Sequence, residues 1–302
     1  MFAVASGLQN KPIYTFQMII INLSGGLGNQ LFQYAFGRTI ADKFGLELKL
    51  DGNYYFSNAC KESDVPRPYL LDRFNIRASL ASVREVRKIN PVWKKAIRKI
   101  KYKLNGSSNA FEYNEKEFNN KDNRYYVGFW QNEKYFKDIS GDIRKDLTLK
   151  EKMGGASACF FNRIAGDSAS VSIHIRRTDI LDPKNLYGGI CDIGYYERAI
   201  ELVGEKVKNP SFFVFSDDIE WVRSNLSVAF PCIYVDHNRG ADSYIDMQLM
   251  SLCRHNIIAN SSFSWWGAWL NLNEEKLVVA PRKWFRNNYN DSDLIPTDWV
   301  RL

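Results

Sequence analysis

The chain is poor in the residues that build metal centres and crosslinks. Its 302 residues hold three histidines (His174, His237, His255) and five cysteines (Cys60, Cys159, Cys191, Cys232, Cys253). No pair has zinc-ligand spacing, so no metal site is expected. An odd, scattered cysteine set argues for reduced thiols in a cytoplasmic setting rather than a disulfide framework. No stretch approaches the roughly 20 apolar residues that span a bilayer. The residues before Met18 lack the basic-then-apolar pattern of an export signal. Basic motifs interleaved with aromatics are also missing, which leaves a nucleic-acid partner without support. What is present is 45% hydrophobic and 14% aromatic, enough for two ordinary cores, with a net charge of +7 that favours an anionic ligand or surface.

The stretch from Val171 to Asp179 carries the most information. Val171, Ile173 and Ile175 alternate with Ser172 and His174, the period of a strand. Arg176 and Arg177 then fall at its carboxyl end, where open α/β sheets place their ligands. Two guanidinium groups there can fork-bind a phosphate or pyrophosphate without a metal. The bland alternative is a strand end with two solvated arginines paired to Asp179.

A second feature starts at Met18. An apolar run to Leu23 breaks at Gly25, Gly26 and Gly28, then resumes with helical spacing at Leu31, Tyr34, Ala35 and Arg38. This predicts a strand, a tight glycine turn and a helix, whose first amides can receive an anion or a sugar hydroxyl. A second strand, Leu46 to Asp51, ends in an acid where a dinucleotide fold would bind ribose. The third glycine of that fingerprint is replaced by Leu31, so a nicotinamide enzyme stays only an alternative.

Gly25 to Ala35, His174 to Asp179 and Asn260 to Trp269 together resemble three signatures of the α-1,2-fucosyltransferases, in that family's order. The resemblance runs from Met18 to near the C-terminus; residues 52–125 carry no usable signature. It implies a family 11-like glycosyltransferase of GT-B type, an α/β fold with two facing Rossmann-like halves. Such an enzyme moves L-fucose from GDP-β-L-fucose to the 2-hydroxyl of a terminal galactose, with inversion. The acceptor would be a galactose-terminated glycan, free or lipid-linked, in an O-antigen or another surface polysaccharide. A non-catalytic sugar-nucleotide-binding protein on the same scaffold is the alternative from another class.

By this resemblance Arg176 holds the β-phosphate of the departing GDP, with Arg177 beside it or packed structurally. His174 contacts or orients the nucleotide. Asp217, or Asp218, reads guanine, since an acceptor-only group suits its N–H donors; Asp217 could equally cap a helix. Ser216 and Asn260 end neighbouring strands, and Ser261, Ser262 and Phe263 form a loop on the phosphates. The tryptophans at 265, 266 and 269 are expected in the core. Gly26, Gly28, Asn29 and Gln30 would face the cleft from the acceptor side. Asp179 and Asp182 are the nearest carboxylates for a general base, beside an Asn29-assisted path with no strong base. No cofactor and no metal is implied: Asp291-Ser292-Asp293 reads as a solvated turn, and the arginines supply the charge.

Three segments are expected: an extension at 1–17, an acceptor-side half at 18–155 and a GDP-fucose-binding half at 156–302. The latter alternates strand and helix as a parallel sheet requires: strands at 171–176, 211–215, 232–235, 256–259 and 276–280, helices at 193–204, 218–226, 242–253 and 264–271. Residues 84–103 hold nine Lys or Arg and one acid, Glu85. From Trp93 the apolar residues fall on one helical face, which either packs Trp93 and Ile97 into the first half with the charges solvated or suits peripheral contact with an anionic inner membrane face.

Overall fold

The computed structural model describes residues 18–56, 67–91, 111–118, 124–178, 181, 185–287 and 289–302. Asp179, Asp182 and most of the basic stretch at 84–103 lie outside these, as do residues 1–17.

Among the described residues the strands form two parallel sheets. The first contains β1 (Met18–Asn22), β2 (Glu47–Asp51), β3 (Ser79–Leu80) and β4 (Tyr125–Tyr126) in the order β3-β2-β1-β4. The second contains β5 (Ser170–Ile175), β6 (Ser211–Ser216), β7 (Cys232–Val235), β8 (His255–Ile257), β9 (Val278–Ala280) and β10 (Val300–Arg301), ordered β10-β9-β8-β5-β6-β7. The helices are α1 (Leu27–Phe44), α2 (Asn53–Phe56), α3 (Val83–Ile89), α4 (Ser140–Asp146), α5 (Gly155–Ala165), α6 (Ile193–Lys206), α7 (Ile219–Asn225), α8 (Ser243–Leu252) and α9 (Ser262–Leu270).

Parallel strands between helices are covered on both faces, so they read as apolar runs. Ile19, Ile20 and Ile21 of β1 are fully buried, and all six residues of β5 are buried. On the polar face of β5, Ser172 Oγ accepts from Asn256 Nδ2 at 2.7 Å. The strands and helices of the second sheet follow the spacing expected for 171–280. The short β3 and β10 are too brief for a periodic signal, and α5 starts at the expected boundary near residue 155.

α1 is buried on nearly every side, as a helix enclosed between two layers must be. Gly45, at φ 62°, ends it in the left-handed conformation that glycine adopts without strain. One side of α1 packs on β1 and β2, and its start packs on α9 of the second sheet. There Phe32 meets Trp265 and Trp266 at ring distances of 4.6 and 4.9 Å, and Phe136 stacks on Trp266 at 5.3 Å. The apolar interior therefore runs continuously from one sheet to the other. The tryptophans are core, as expected.

Candidate functional site

The strand order of the second sheet reverses between β5 and β8. From β5 the chain steps outward through β6 and β7; β8 starts the opposite wing with β9 and β10. Open parallel sheets bind ligands in the crevice at this switch point, beyond the carboxyl ends of the strands. Arg176 follows β5, and Asn260, Ser261 and Ser262 follow β8. These residues open into a cavity of about 850 Å³ whose opposite wall is the Gly25–Asn29 turn of the first sheet, with Tyr54 and Arg67.

The start of α9 points into this cavity. Ser261 caps it, its Oγ accepting from Phe263 N at 3.3 Å, and the helix leaves free amides and a partial positive charge at that end. Arg176 lies 5.6 Å from the Tyr187 ring centroid on the cavity wall. His174 is 8% exposed beneath it, its ring 5.4 Å from Phe263. The Arg176 guanidinium and the α9 start thus face the same space, with Arg67 and Arg239 also on its wall. That arrangement suits a phosphate group.

The expected pair of arginines is split. Arg177 turns away from the cavity, stacks 3.7 Å over the Trp221 ring and pairs with Asp218 at 3.0 Å. Asp217 lines the cavity but its oxygens are engaged: Oδ1 accepts from Arg177 N at 2.8 Å, and Oδ2 from Thr178 N at 3.0 Å and from the Thr178 hydroxyl. It holds the loop after β5 in place. The cap of α7 is Asp218, one residue later than expected, accepting from Trp221 N at 3.4 Å. Ser216 accepts from Asp218 N at 3.0 Å and stays on the cavity wall.

Gln30 is also corrected. It is fully buried, with Oε1 accepting from Leu70 N at 3.0 Å and Nε2 donating to Pro68 O at 2.9 Å. It supports the wall from behind and does not line the cavity. Asn260 acts similarly, donating to Tyr187 O at 2.9 Å and Trp284 O at 3.0 Å, so it anchors two loops that border the cavity.

The glycines divide into two roles. Gly25, at φ 81°, makes the turn, and Tyr55 Oη donates to its carbonyl at 2.8 Å. Gly28 has no room for a side chain: a Cβ there would lie 2.4 Å from the carbonyl carbon of Ser262. Its carbonyl accepts from Trp266 Nε1 at 3.0 Å. The missing side chain serves helix contact between the two sheets rather than approach to a phosphate. Beside it, Asn29 Oδ1 accepts from Gln131 Nε2 at 2.8 Å and Ser262 Oγ at 3.0 Å, joining both walls at the cavity floor.

Two carboxylates on the cavity wall carry no sequence motif: Asp236, which pairs with Arg223 at 3.0 Å, and Asp246. Asp246, in the first turn of α8, borders the cavity at 9% exposure, and Asn238 Nδ2 donates to its Oδ1 at 2.7 Å. Burial pushes its carboxyl up to about 7, against the opposing pull of Asn238. The signal was an acid on an apolar helix face, three and four residues before Leu249 and Met250. Asp291 and Asp293 are engaged elsewhere: Asp291 accepts from Trp284 N and Arg301 Nη2, and Asp293 pairs with Lys134. Among the described residues no cluster of three His, Cys, Asp or Glu could hold a metal ion. No helix among them is long and apolar enough to cross a membrane.

Two parallel sheets facing each other across a phosphate-suited cavity make a GT-B-type fold. Residues 1–302 match the profile of Glycosyl transferase family 11, and the chain belongs to that family. It is 36% identical over 301 residues to an alpha-1,2-colitosyltransferase of Escherichia coli, covering 94% of this chain and 99% of that protein. Against the O-antigen biosynthesis glycosyltransferase WbnK of Escherichia coli it is 34% identical over 307 residues, covering 93% and 99%. Mouse galactoside alpha-(1,2)-fucosyltransferase 2 is 26% identical over 143 residues, 45% of this chain and 41% of that one. The crystal structure of fucosyltransferase NodZ from Bradyrhizobium superposes with a TM-score of 0.50 at 16% identity, covering 83% and 91% of the two chains, which speaks to the fold.

Proposed function

We propose that the protein is an inverting galactoside α-1,2-L-fucosyltransferase. It takes L-fucose from GDP-β-L-fucose and delivers it to the 2-hydroxyl of a terminal galactose in an O-antigen or similar surface glycan. The observation that carries this reading is the convergence of Arg176 and the α9 start on one cavity at the switch point of the second sheet. Those groups stabilise charge growing on the diphosphate as the glycosidic bond breaks. The galactose enters from the Gly25–Asn29 wall and attacks the anomeric carbon opposite the GDP, through an oxocarbenium-like transition state.

Asn29 Oδ1 already accepts two hydrogen bonds, so Asn29 orients the floor of the site and is a poor proton acceptor. The general base is assigned to Asp179, which follows the Arg176 loop and lies outside the described residues. Guanine recognition is assigned to Asp246 rather than Asp217 or Asp236, because the Asp217 oxygens are committed to residues 177 and 178 and Asp236 is paired with Arg223. The reaction is metal-independent on this reading, with Arg176 supplying the positive charge; turnover should survive EDTA, and loss restored by manganese or magnesium would overturn that point.

A second donor is favoured by one observation, the 36% identity to a colitosyltransferase. Colitose is fucose without its 3-hydroxyl, so the two GDP-sugars differ by one hydrogen-bonding group. Incubation with a β-galactoside and each donor, followed by GDP assay and linkage analysis of the product, tests the reading. Transfer from GDP-fucose to the galactose 2-hydroxyl is expected. Transfer from GDP-colitose alone would replace the donor, and binding of either without transfer would make the protein a non-catalytic binder.

A further inference from the structure

A chain of side-chain hydrogen bonds runs from α5 to the carboxylate on the cavity wall. Ser157, at 4% exposure in the first turn of α5, is 81 residues from Asn238 in sequence, yet its Oγ lies 3.0 Å from Asn238 Oδ1. Asn238 Nδ2 donates to Asp246 Oδ1 at 2.7 Å. On the other side of Ser157, His237 Nε2 lies 2.8 Å from the same Oγ, and the His237 ring stacks on Phe160 at 5.1 Å and 14°.

With Asp246 ionised, proton count fixes the direction of the chain. A serine hydroxyl has one proton, and Asn238 Oδ1 can only accept it. His237 Nε2 must then donate to Ser157 Oγ, which both the Nε2–H tautomer and the imidazolium do. The carboxamide of Asn238 is thereby held with its NH₂ toward Asp246. Without Ser157 it can turn over and set a carbonyl oxygen against the carboxylate, a contact that repels. With Oδ1 of Asp246 occupied, Oδ2 is the oxygen left for a ligand.

We infer that Ser157 and Asn238 are positioning residues that aim Asp246 at the nucleobase of the donor and so set the preference for a guanine nucleotide. The inference rests on the guanine-reading role proposed above for Asp246. It ties α5 to the cavity wall through Asn238 and Asp246.

The test compares inhibition of transfer by GDP and by IDP, which lacks the exocyclic amine. The wild type should favour GDP by roughly tenfold, the worth of one hydrogen bond to a charged acceptor. Asp246→Asn should bring the two inhibition constants close together. Ser157→Ala and, independently, Asn238→Ala should also shrink the GDP preference by at least about threefold, with the donor KM rising more than kcat falls. A purely structural role would weaken GDP and IDP alike and leave their ratio unchanged; that result in both variants, with the ratio lost in Asp246→Asn, would overturn this inference while the guanine reading stands. An unchanged ratio in Asp246→Asn would overturn the guanine reading itself. Should Ser157→Ala fail to fold, Asn238→Ala reads the same ratio from the loop side.

Discussion

Gly28 of α1 and Ser262 of α9 bring the two sheets into backbone contact: a Cβ on Gly28 would lie 2.4 Å from the Ser262 carbonyl carbon and 2.6 Å from Phe263 N. Backbone cannot swing aside as a side-chain tip can. Gly28→Ala therefore sets an overpacking cost of about 1–3 kcal/mol against a helix-propensity gain of about 1 kcal/mol. The obstruction is backbone, so the cost wins and the melting temperature falls. Gly26→Ala is the contrast: φ is −75° and the nearest atom to a new Cβ is Arg67 Cδ at 3.9 Å, so the fold should tolerate it. Equal melting curves for the two variants would show that the contact does not matter.

Arg176 and Arg177 are neighbours in sequence with different duties. Arg176→Ala should cost about 3–4 kcal/mol in transition-state stabilisation, by analogy with a single oxyanion donor. Turnover then falls by at least a hundredfold with the melting temperature unchanged. Arg176→Lys should rescue incompletely, because a point charge does not reproduce a planar fork. Arg177→Ala removes the stack on Trp221 and the pair with Asp218, so it should lower stability and keep more than about a tenth of the turnover. Equal loss of turnover in both alanine variants would return Arg177 to the phosphate site.

The site was readable in the sequence where a strand period and a chain break coincide. β5 ends at Ile175, and whatever follows a central parallel strand lies on the ligand rim, so Arg176 and Ser261–Ser262 were placed from spacing alone. Which of two adjacent polar residues faces the ligand was not readable. Trp221 and Asp218 draw Arg177 outward, and Leu70 and Pro68 draw Gln30 inward; both pairs of partners are distant in sequence. Asp246 is the same lesson in reverse. A lone acid in an apolar helix face acquires meaning only when α5 and the loop after β7 bury it.

The raised Asp246 carboxyl predicts two opposite pH effects. Its ordinary value is 3.8 and burial moves it to about 7 in the folded protein. On the guanine-reading role proposed for Asp246, binding needs the charged form, so affinity for the GDP-sugar should improve as pH rises through about 7, and Asp246→Asn should flatten that dependence. Stability runs the other way. The unfolded chain loses this proton near 3.8 while the folded chain keeps it to about 7, so the group's contribution to stability is full below 3.8 and is lost progressively as pH rises between the two values. Asp246→Asn should therefore stabilise the free protein most above pH 7, by an amount on the order of a few kcal/mol. Denaturant titrations at pH 5 and pH 8 measure the difference; a variant no more stable at pH 8 would contradict the burial argument.

On the proposed reading of a surface-glycan acceptor, the exposed cations of α3 make a surface suited to an anionic bilayer. Val86 is buried, while Val83, Arg84, Arg87 and Lys88 point outward, and Glu85, the lone acid of 84–103, is engaged by Lys49 and caps the helix with Ser82. The sequence continues as Trp93, Lys94, Lys95, Arg98 and Lys99, outside the described residues. Each cation near an anionic bilayer contributes about 1 kcal/mol. The protein is expected to cosediment with phosphatidylserine-containing vesicles at low salt and to come off at high salt. Replacing Arg84, Arg87 and Lys88 with Gln should weaken binding, and replacing Lys94, Lys95, Arg98 and Lys99 as well should abolish it. Binding that resists salt and all seven substitutions, or no binding at low salt, would rule out this surface.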